Sequence, residues 1–364
     1  MAEAGADSGK LAAVMKWIGI AAALISFGSA VYGLLHAQAD LRERARLIAE
    51  QLAAGRSQES AGDYPAAWEN FRQAGTAAES DGVIAKLLGG LGSQTRAVRT
   101  AQEDLAMRWL RAAHAPEGHT FSEISDKVSD TLATGADESQ GARKADLLAH
   151  LGWAYFLKQR DGNTSVHPEE MYQQAVAADA NNPFANVFWG HNIVWNHGPI
   201  PAANQHFAAA LASQRELTTV RKFELMAYGN SHTTDIEAQW WRVVDDMHKK
   251  GDPIDADTMA GMTSRYELVR SNDEDLAHLL AAIPAADHVE LQRMLLQSGT
   301  LNDDGKLNVE LVLAECLEAA GKPDAALAQW RDLEAVTHDS PLYVFTPRMT
   351  AAIKRLSAQT KKTH

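Results

Sequence analysis

The stretch DLLAHLGWAYF (residues 146–156) places Leu148, Leu151, Gly152 and Tyr155 at three- and four-residue steps, the spacing of one helix face. Tyr172 and Ala175 follow on a second apolar period. PFANVFWGHNIVW (183–195) then repeats the first pattern with Trp189, Gly190 and Ile193, and Ala203, Phe207 and Ala210 repeat the second. Two helix–turn–helix pairs in succession are expected. Gly152 and Gly190 are small because the two helices of a pair approach backbone to backbone there, and a larger side chain would force them apart.

Those spacings resemble two consecutive tetratricopeptide repeats, whose signature includes L-G-x2-Y on the first helix and A-x3-F on the second. The same register occurs twice more. Gly55 precedes Ala67 by twelve positions, with Phe71 four further on, and Ala314 precedes Ala326 by twelve, with Trp330 four further on. In the central pair Gly152 to Pro168 is sixteen positions, the extra residues lying at Arg160–Asn163. Gly190 to Ala203 is thirteen, with one extra residue in the Gly198–Pro201 turn. The repeat-bearing units are 48–80, 147–182, 183–215 and 308–340. The resemblance implies an all-α fold, a helix–turn–helix α-solenoid, in which Gly55, Ala67, Phe71, Gly152, Tyr155, Gly190, Ala203, Phe207, Ala314, Ala326 and Trp330 pack the pairs together.

The resemblance also implies a function. The first helix of each unit in that family lines a concave groove that takes an extended peptide or a partner helix. Carried onto this chain, the groove positions are Trp153 and Phe156, then Phe184 and Val187, then His191, Asn192, Val194 and Trp195. Aromatic side chains there would supply large desolvated contact areas to a protein partner. The competing reading of the same residues is that they are packed between neighbouring helices.

Trp17 to Leu35 is a run of 19 residues without a charge. As a helix it spans roughly 28 Å, close to the ~30 Å hydrocarbon thickness of a bilayer. Trp17 and Tyr32 sit near its ends, where aromatic rings favour the headgroup region. A single transmembrane helix in contact with lipid is the first expectation. A cleaved signal peptide is the second, with Lys10 and Lys16 as its basic region and Ala37-Gln38-Ala39 as its small-x-small site. Lys10 and Lys16 on one side nearly balance Arg42, Arg44 and Arg46 on the other. The expectation is a single-pass protein of a bacterial inner membrane with its folded part in the periplasm, a cytoplasmic placement staying open.

The expected organisation is an N-terminal tail and transmembrane helix at 1–36 and a helical block at 37–113. A loop-rich linker bracketing one short helix follows at 114–145, where Pro116, Gly118 and Gly141 punctuate a Ser-, Thr- and Asp-rich run. The central pair occupies 146–215, degenerate helical repeats 216–300, and a last repeat with a basic tail 301–364.

With 46% apolar residues and only 11 prolines in 364 residues, the chain has material for a large helical core. Its net charge of -13 is spread along the chain and opposes a nucleic-acid surface, which needs a clustered basic stripe. Cys316 is the lone cysteine, so no disulfide framework or cysteine-rich metal site can form. His191, His197 and His206 lack the i, i+4 spacing and interleaved acid of a helical metal site. Gly89-Gly90-Leu91-Gly92 lacks the lysine of a phosphate loop, and no G-x-S-x-G occurs. No catalytic residue, metal or cofactor is expected. The functional expectation is a membrane-anchored scaffold for an unidentified protein partner. The alternatives are a structural subunit of a larger membrane complex, and an enzyme, which a buried charged cluster in a deep pocket within 217–300 would favour.

Overall fold

The computed structural model describes residues 6–79, 90–112, 120–229, 233–337 and 346–363. Among them there are helices and turns and no strand, so the fold is all-α. Leu87, Leu88, Gly89, His114, Pro116, Glu117, Gly118 and His119 lie outside the described residues. The chain divides into two compact units, 1–185 and 186–364.

The first unit begins with α1 (Ala6–Ser60), a single helix of 55 residues. Its apolar part is uncovered: Trp17 is 72% exposed and Tyr32 68%, with Leu24, Ile25, Phe27 and Leu35 exposed between and beyond them. This is a helix long and apolar enough to cross a membrane. Burial starts only at Ile48, which packs with Ala74, Ala78, Leu91 and Val98, Leu41, Ala45 and Leu52 lying against that cluster. The face Leu41, Ala45, Ile48, Leu52 is thus the one that turns inward.

α2 (Tyr64–Glu79) folds back on α1, its N-terminus capped by Asp63, whose carboxylate accepts from the Ala66 amide at 3.1 Å. α3 (Gly92–Ala112), α4 (Phe121–Glu138), α5 (Gly141–Arg160) and α6 (Pro168–Ala178) follow. Most of the segment expected to be a loop-rich linker is α4, an 18-residue helix. Its Ile124, Val128, Leu132 and Ala136 recur every fourth residue and are buried, while the Asp and Lys residues that looked like loop are exposed on the other face. Gly135 is a close approach rather than a hinge, since a Cβ there would lie 2.6 Å from Glu103 Oε1. That buried carboxylate is bound by Arg143 Nη2 of α5 at 2.5 Å, tying α3, α4 and α5 together. No unit boundary falls at 114–145; it falls inside α7 (Pro183–Trp195), after Ala185. Asn182 caps α7 by accepting from the Ala185 amide at 2.9 Å, and its Nδ2 donates to Asp146 Oδ1 of α5 at 2.6 Å.

The second unit continues with α8 (Ile200–Ala212), α9 (Leu217–Gly229), α10 (Thr234–Lys250), α11 (Ala256–Ser271), α12 (Asp273–Ala282) and α13 (Ala285–Gln297). It ends with α14 (Asp303–Ala319), α15 (Pro323–Thr337) and α16 (Thr346–Thr363). The region expected to hold degenerate repeats is helical, with Trp240, Trp241, Val243 and Val244 buried. The basic tail is a helix anchored by buried Met349, Ala352 and Leu356.

Three helix pairs share one local arrangement, and a fourth matches them in register. Gly55, Gly152 and Gly190 lie under the rings of Phe71, Tyr172 and Phe207: a Cβ would come within 2.5 Å of Tyr172 Cε1 and 2.7 Å of Phe207 Cε1, and closer still to Phe71. Ala314 and Trp330 occupy the matching positions of α14 and α15, and both are buried. The aromatic follows its small residue by sixteen positions in the first and last pairs, twenty in the second and seventeen in the third. The four- and one-residue excesses equal the inserted turns, so the insertions are absorbed in loops and the contact register is kept. Each turn places one residue in the left-handed region: Gly62, Gly162, His197 and Gly321. Ala67, Ala203 and Ala326 are buried as expected, and Tyr155 is half-buried.

Candidate functional site

Seven of the eight side chains expected to line a groove are buried: Trp153, Phe156, Phe184, Val187, His191, Asn192 and Val194. Only Trp195, 41% exposed at the end of α7, presents a large aromatic surface. Of the two sequence readings for these residues, packing between helices describes the seven.

In the first unit the reason is a polar–aromatic knot. Trp153 stacks on Phe156, ring centroids 4.7 Å apart, and its indole donates to the Leu110 carbonyl at 3.2 Å. His150 packs edge-on to Phe184 at 4.6 Å, and the Arg111 guanidinium lies over the Phe184 ring at 4.9 Å. His150 Nδ1 is 2.6 Å from the Asp146 carbonyl and Nε2 is 2.8 Å from Arg111 Nη1. A carbonyl can only accept and a guanidinium can only donate, so His150 is the neutral Nδ1–H tautomer. Burial holds it well below the usual histidine range, and the Arg111 charge pushes the same way.

In the second unit, Trp189 stacks on His206 at 4.3 Å between centroids. His206 Nδ1 is 3.1 Å from Asn186 Oδ1, and burial lowers its pKa. Of the three histidines near α7 and α8, His191 is buried, His206 half-buried and His197 exposed.

A buried charged cluster does occur within 217–300. Arg221, only 3% exposed, donates from Nε to Asp252 at 2.9 Å, from Nη1 to Glu224 at 2.8 Å and from Nη2 to Asp246 at 2.5 Å. It sits at the side of an open recess of about 480 Å³, also bordered by Asn204, Gln239 and Lys250. Burial raises the Glu224 carboxyl against the pull of Arg221. Every edge of the guanidinium is engaged by a carboxylate from α9, α10 or the turn after Gly251. The cluster therefore clamps α9 to the end of α10. The recess is open rather than deep, so the condition that would favour an enzyme is half met.

Two features escaped the sequence reading. The three acids around Arg221 are 3, 25 and 31 positions away, of which only Glu224 sits at a helical step. Glu315 stands among buried apolar residues in VLAECLEA (312–319), a charge at a core position whose ion-pair partner, Arg348, lies 33 positions on. The isolated charge was the available signal.

A scan against protein-family models found no match, and a comparison with curated proteins found none either.

Proposed function

We propose that this chain is a membrane-anchored scaffold of the tetratricopeptide type that holds a protein partner near a bilayer and catalyses no reaction. The observation that carries the reading is the threefold recurrence of a glycine beneath an aromatic ring, with buried Ala314 and Trp330 in the same register and with that register surviving two insertions. Such recurrence is the mark of stacked helix pairs, each burying its face against the next. The uncovered apolar stretch of α1 supports the anchor, because exposed Trp17, Leu24, Ile25, Phe27, Tyr32 and Leu35 on one helix would be a large unshielded patch in water. An anchor confines the partner to the membrane surface and raises its effective concentration there. The bacterial inner membrane, with the folded part in the periplasm, is the setting this reading assigns.

Trp195 is the groove residue to test, since truncating buried Trp153 would disturb the core instead of a surface. Full-length protein is expected to stay with membranes after alkaline carbonate washing. In mild detergent it should co-purify with a partner in fixed proportion, and Trp195→Ala should reduce that recovery while leaving the helical circular dichroism unchanged. Release by carbonate refutes the anchor. Purification of the chain with no partner, or recovery indifferent to Trp195→Ala, refutes the binding surface. Digestion of the folded part by protease in intact spheroplasts is expected, and protection would put it in the cytoplasm.

A further inference from the structure

The turn between α5 and α6 is four residues longer than the packing of the pair requires, since Tyr172 follows Gly152 by twenty positions where the first and last pairs use sixteen. That excess carries a motif the packing does not explain. Of the twelve asparagines in the chain, only Asn163 heads an Asn-x-Ser/Thr triplet. Asn163-Thr164-Ser165 is the acceptor sequence for attachment of a sugar on a surface loop. Asp161 stands two positions before it, so Asp161-Gly162-Asn163-Thr164-Ser165 also fits the stricter acid-x-Asn-x-Ser form of that acceptor.

The turn holds this asparagine outward and in one orientation. Residues 161–165 are all exposed. Gln159 Nε2 closes the base of the turn by donating to the Val166 carbonyl at 3.0 Å. Asp161 fixes its first residue, Oδ2 accepting from the Ser122 amide at 2.6 Å. Asn163 Oδ1 accepts from the Ser165 amide at 3.0 Å and from the Ser165 hydroxyl at 2.7 Å. A backbone N–H can only donate, so the carboxamide oxygen lies on the Ser165 side and Nδ2 on the other. Among the described residues none accepts a hydrogen bond from that nitrogen. The two side chains in contact, Asn163 and Ser165, are the two that the triplet specifies.

We propose that Asn163 is an attachment site for an oligosaccharide, transferred to its Nδ2 from a sugar carried on a lipid pyrophosphate. Nδ2 attacks C1 of the first sugar, the bond from C1 to the pyrophosphate oxygen breaks, and the lipid pyrophosphate departs. One Nδ2 proton passes to the transferase or to water as the nitrogen–carbon bond forms, and nothing is oxidised or reduced. The glycan would project from the inserted turn and leave the buried contact between Gly152 and Tyr172 untouched. The inference rests on the reading that the folded part lies outside the cytoplasm, the face on which lipid-carried sugars are transferred.

The test uses full-length protein purified from the membranes of the cells that make it, with the peptide carrying Asn163 read by mass spectrometry. The expected result is a peptide heavier by a run of sugar masses, whose fragmentation leaves the first sugar on Asn163. Asn163→Gln and Ser165→Ala should each abolish that added mass. Ser165→Thr, which keeps a hydroxyl in place, should retain it. All three positions are exposed or conservatively changed, so helical circular dichroism should match wild type in every variant. An unmodified Asn163 peptide overturns the proposal, as does an added mass that persists in Asn163→Gln or Ser165→Ala. Unmodified Asn163 in a chain whose folded part is digested in intact spheroplasts refutes this inference alone. Unmodified Asn163 in a chain whose folded part is protected refutes this inference and the periplasmic placement together. A sugar on Asn163 of a chain that purifies with no partner refutes the scaffold reading alone.

Discussion

A single methyl group at Gly152 tests the packing of the repeated pair. On the backbone of α5 it would lie 2.5 Å from Cε1 and 2.8 Å from Cδ1 of Tyr172, about 1 Å inside ordinary carbon–carbon contact. Tyr172 is fully buried, so its ring has no outward path and either α5 and α6 separate or the neighbouring core shifts. Overpacking of this kind costs about 1–3 kcal/mol, and an overlap with an enclosed ring belongs at the upper end. Alanine returns up to about 1 kcal/mol through its better helix propensity. Gly152→Ala should therefore destabilise by about 2 kcal/mol, a fall in Tm of about 4–8 °C for a unit of this size. Gly75 in α2 is the control. A methyl there meets only Gln102 Nε2 at 3.5 Å and Val98 Cγ1 at 3.7 Å, so Gly75→Ala should keep its propensity gain and stabilise by about 0.5–1 kcal/mol. Thermal unfolding followed by circular dichroism at 222 nm reads both signs. Adding Tyr172→Leu removes the obstructing ring atoms, and the double variant should recover about 1–2 kcal/mol relative to the sum of the singles. Gly152→Ala melting at or above wild type, or strict additivity in the double variant, would show that the ring is not the obstacle.

Three further outcomes are expected. Arg221→Met removes the guanidinium that pairs with buried Glu224 and with Asp252 and Asp246, and should destabilise the second unit by about 3–5 kcal/mol; a midpoint within about 1 kcal/mol of wild type in urea would refute the clamp. Cys316 is buried, burial pushes its thiol up to about 12, and Gln292 Nε2 donates to its sulfur at 3.3 Å. A thiol-specific disulfide reagent at pH 8 should react only on unfolding, and rapid reaction of the native protein would contradict that burial. Glu315 and His288 should give opposite pH slopes. The Glu315 carboxyl is raised to about 7, so its contribution is fully present below the ordinary glutamate range and is lost as pH rises through about 7. His288, lowered to about 4 by burial, contributes stability present above the ordinary histidine value and lost as pH falls toward 4. Relative to wild type, Glu315→Gln should gain about 3 kcal/mol between pH 4.5 and 7.5, and His288→Asn should lose a similar amount over the same range. Parallel pH profiles for wild type and either variant would contradict the corresponding shift.

The sequence made the helix pairs legible because their requirement is local. A small residue and an aromatic at fixed separation need no knowledge of the rest of the chain, and an insertion shows as a counted excess. The accessibility of Trp153, Phe184 and His191 was not local. The face that would line a groove and the face that packs on a neighbour have the same period, and only the surrounding helices decide between them. The segment 121–138 misled for a related reason. Ser, Thr, Asp and Gly favour turns on average, yet here the polar residues sit mainly outside, and Gly135 accommodates the Glu103 side chain. The Glu315–Arg348 ion pair joins residues 33 positions apart on different helices, so no single window of sequence contains it.

The unbroken α1 has a mechanical meaning. From Leu35, the last residue of the uncovered run, to Ile48, the first buried one, is thirteen positions of continuous helix, roughly 20 Å of rod. A rod transmits angle as well as distance. Each residue added to or removed from this interval would turn the folded part by about 100° around the helix axis while moving it only about 1.5 Å. If α1 is anchored in a bilayer, as proposed above, the direction in which the folded part faces is thereby written as a residue count: deleting one residue should turn it by about 100° with a height change of about 1.5 Å, whereas deleting seven should return it to within about 20° while moving it by about 10 Å.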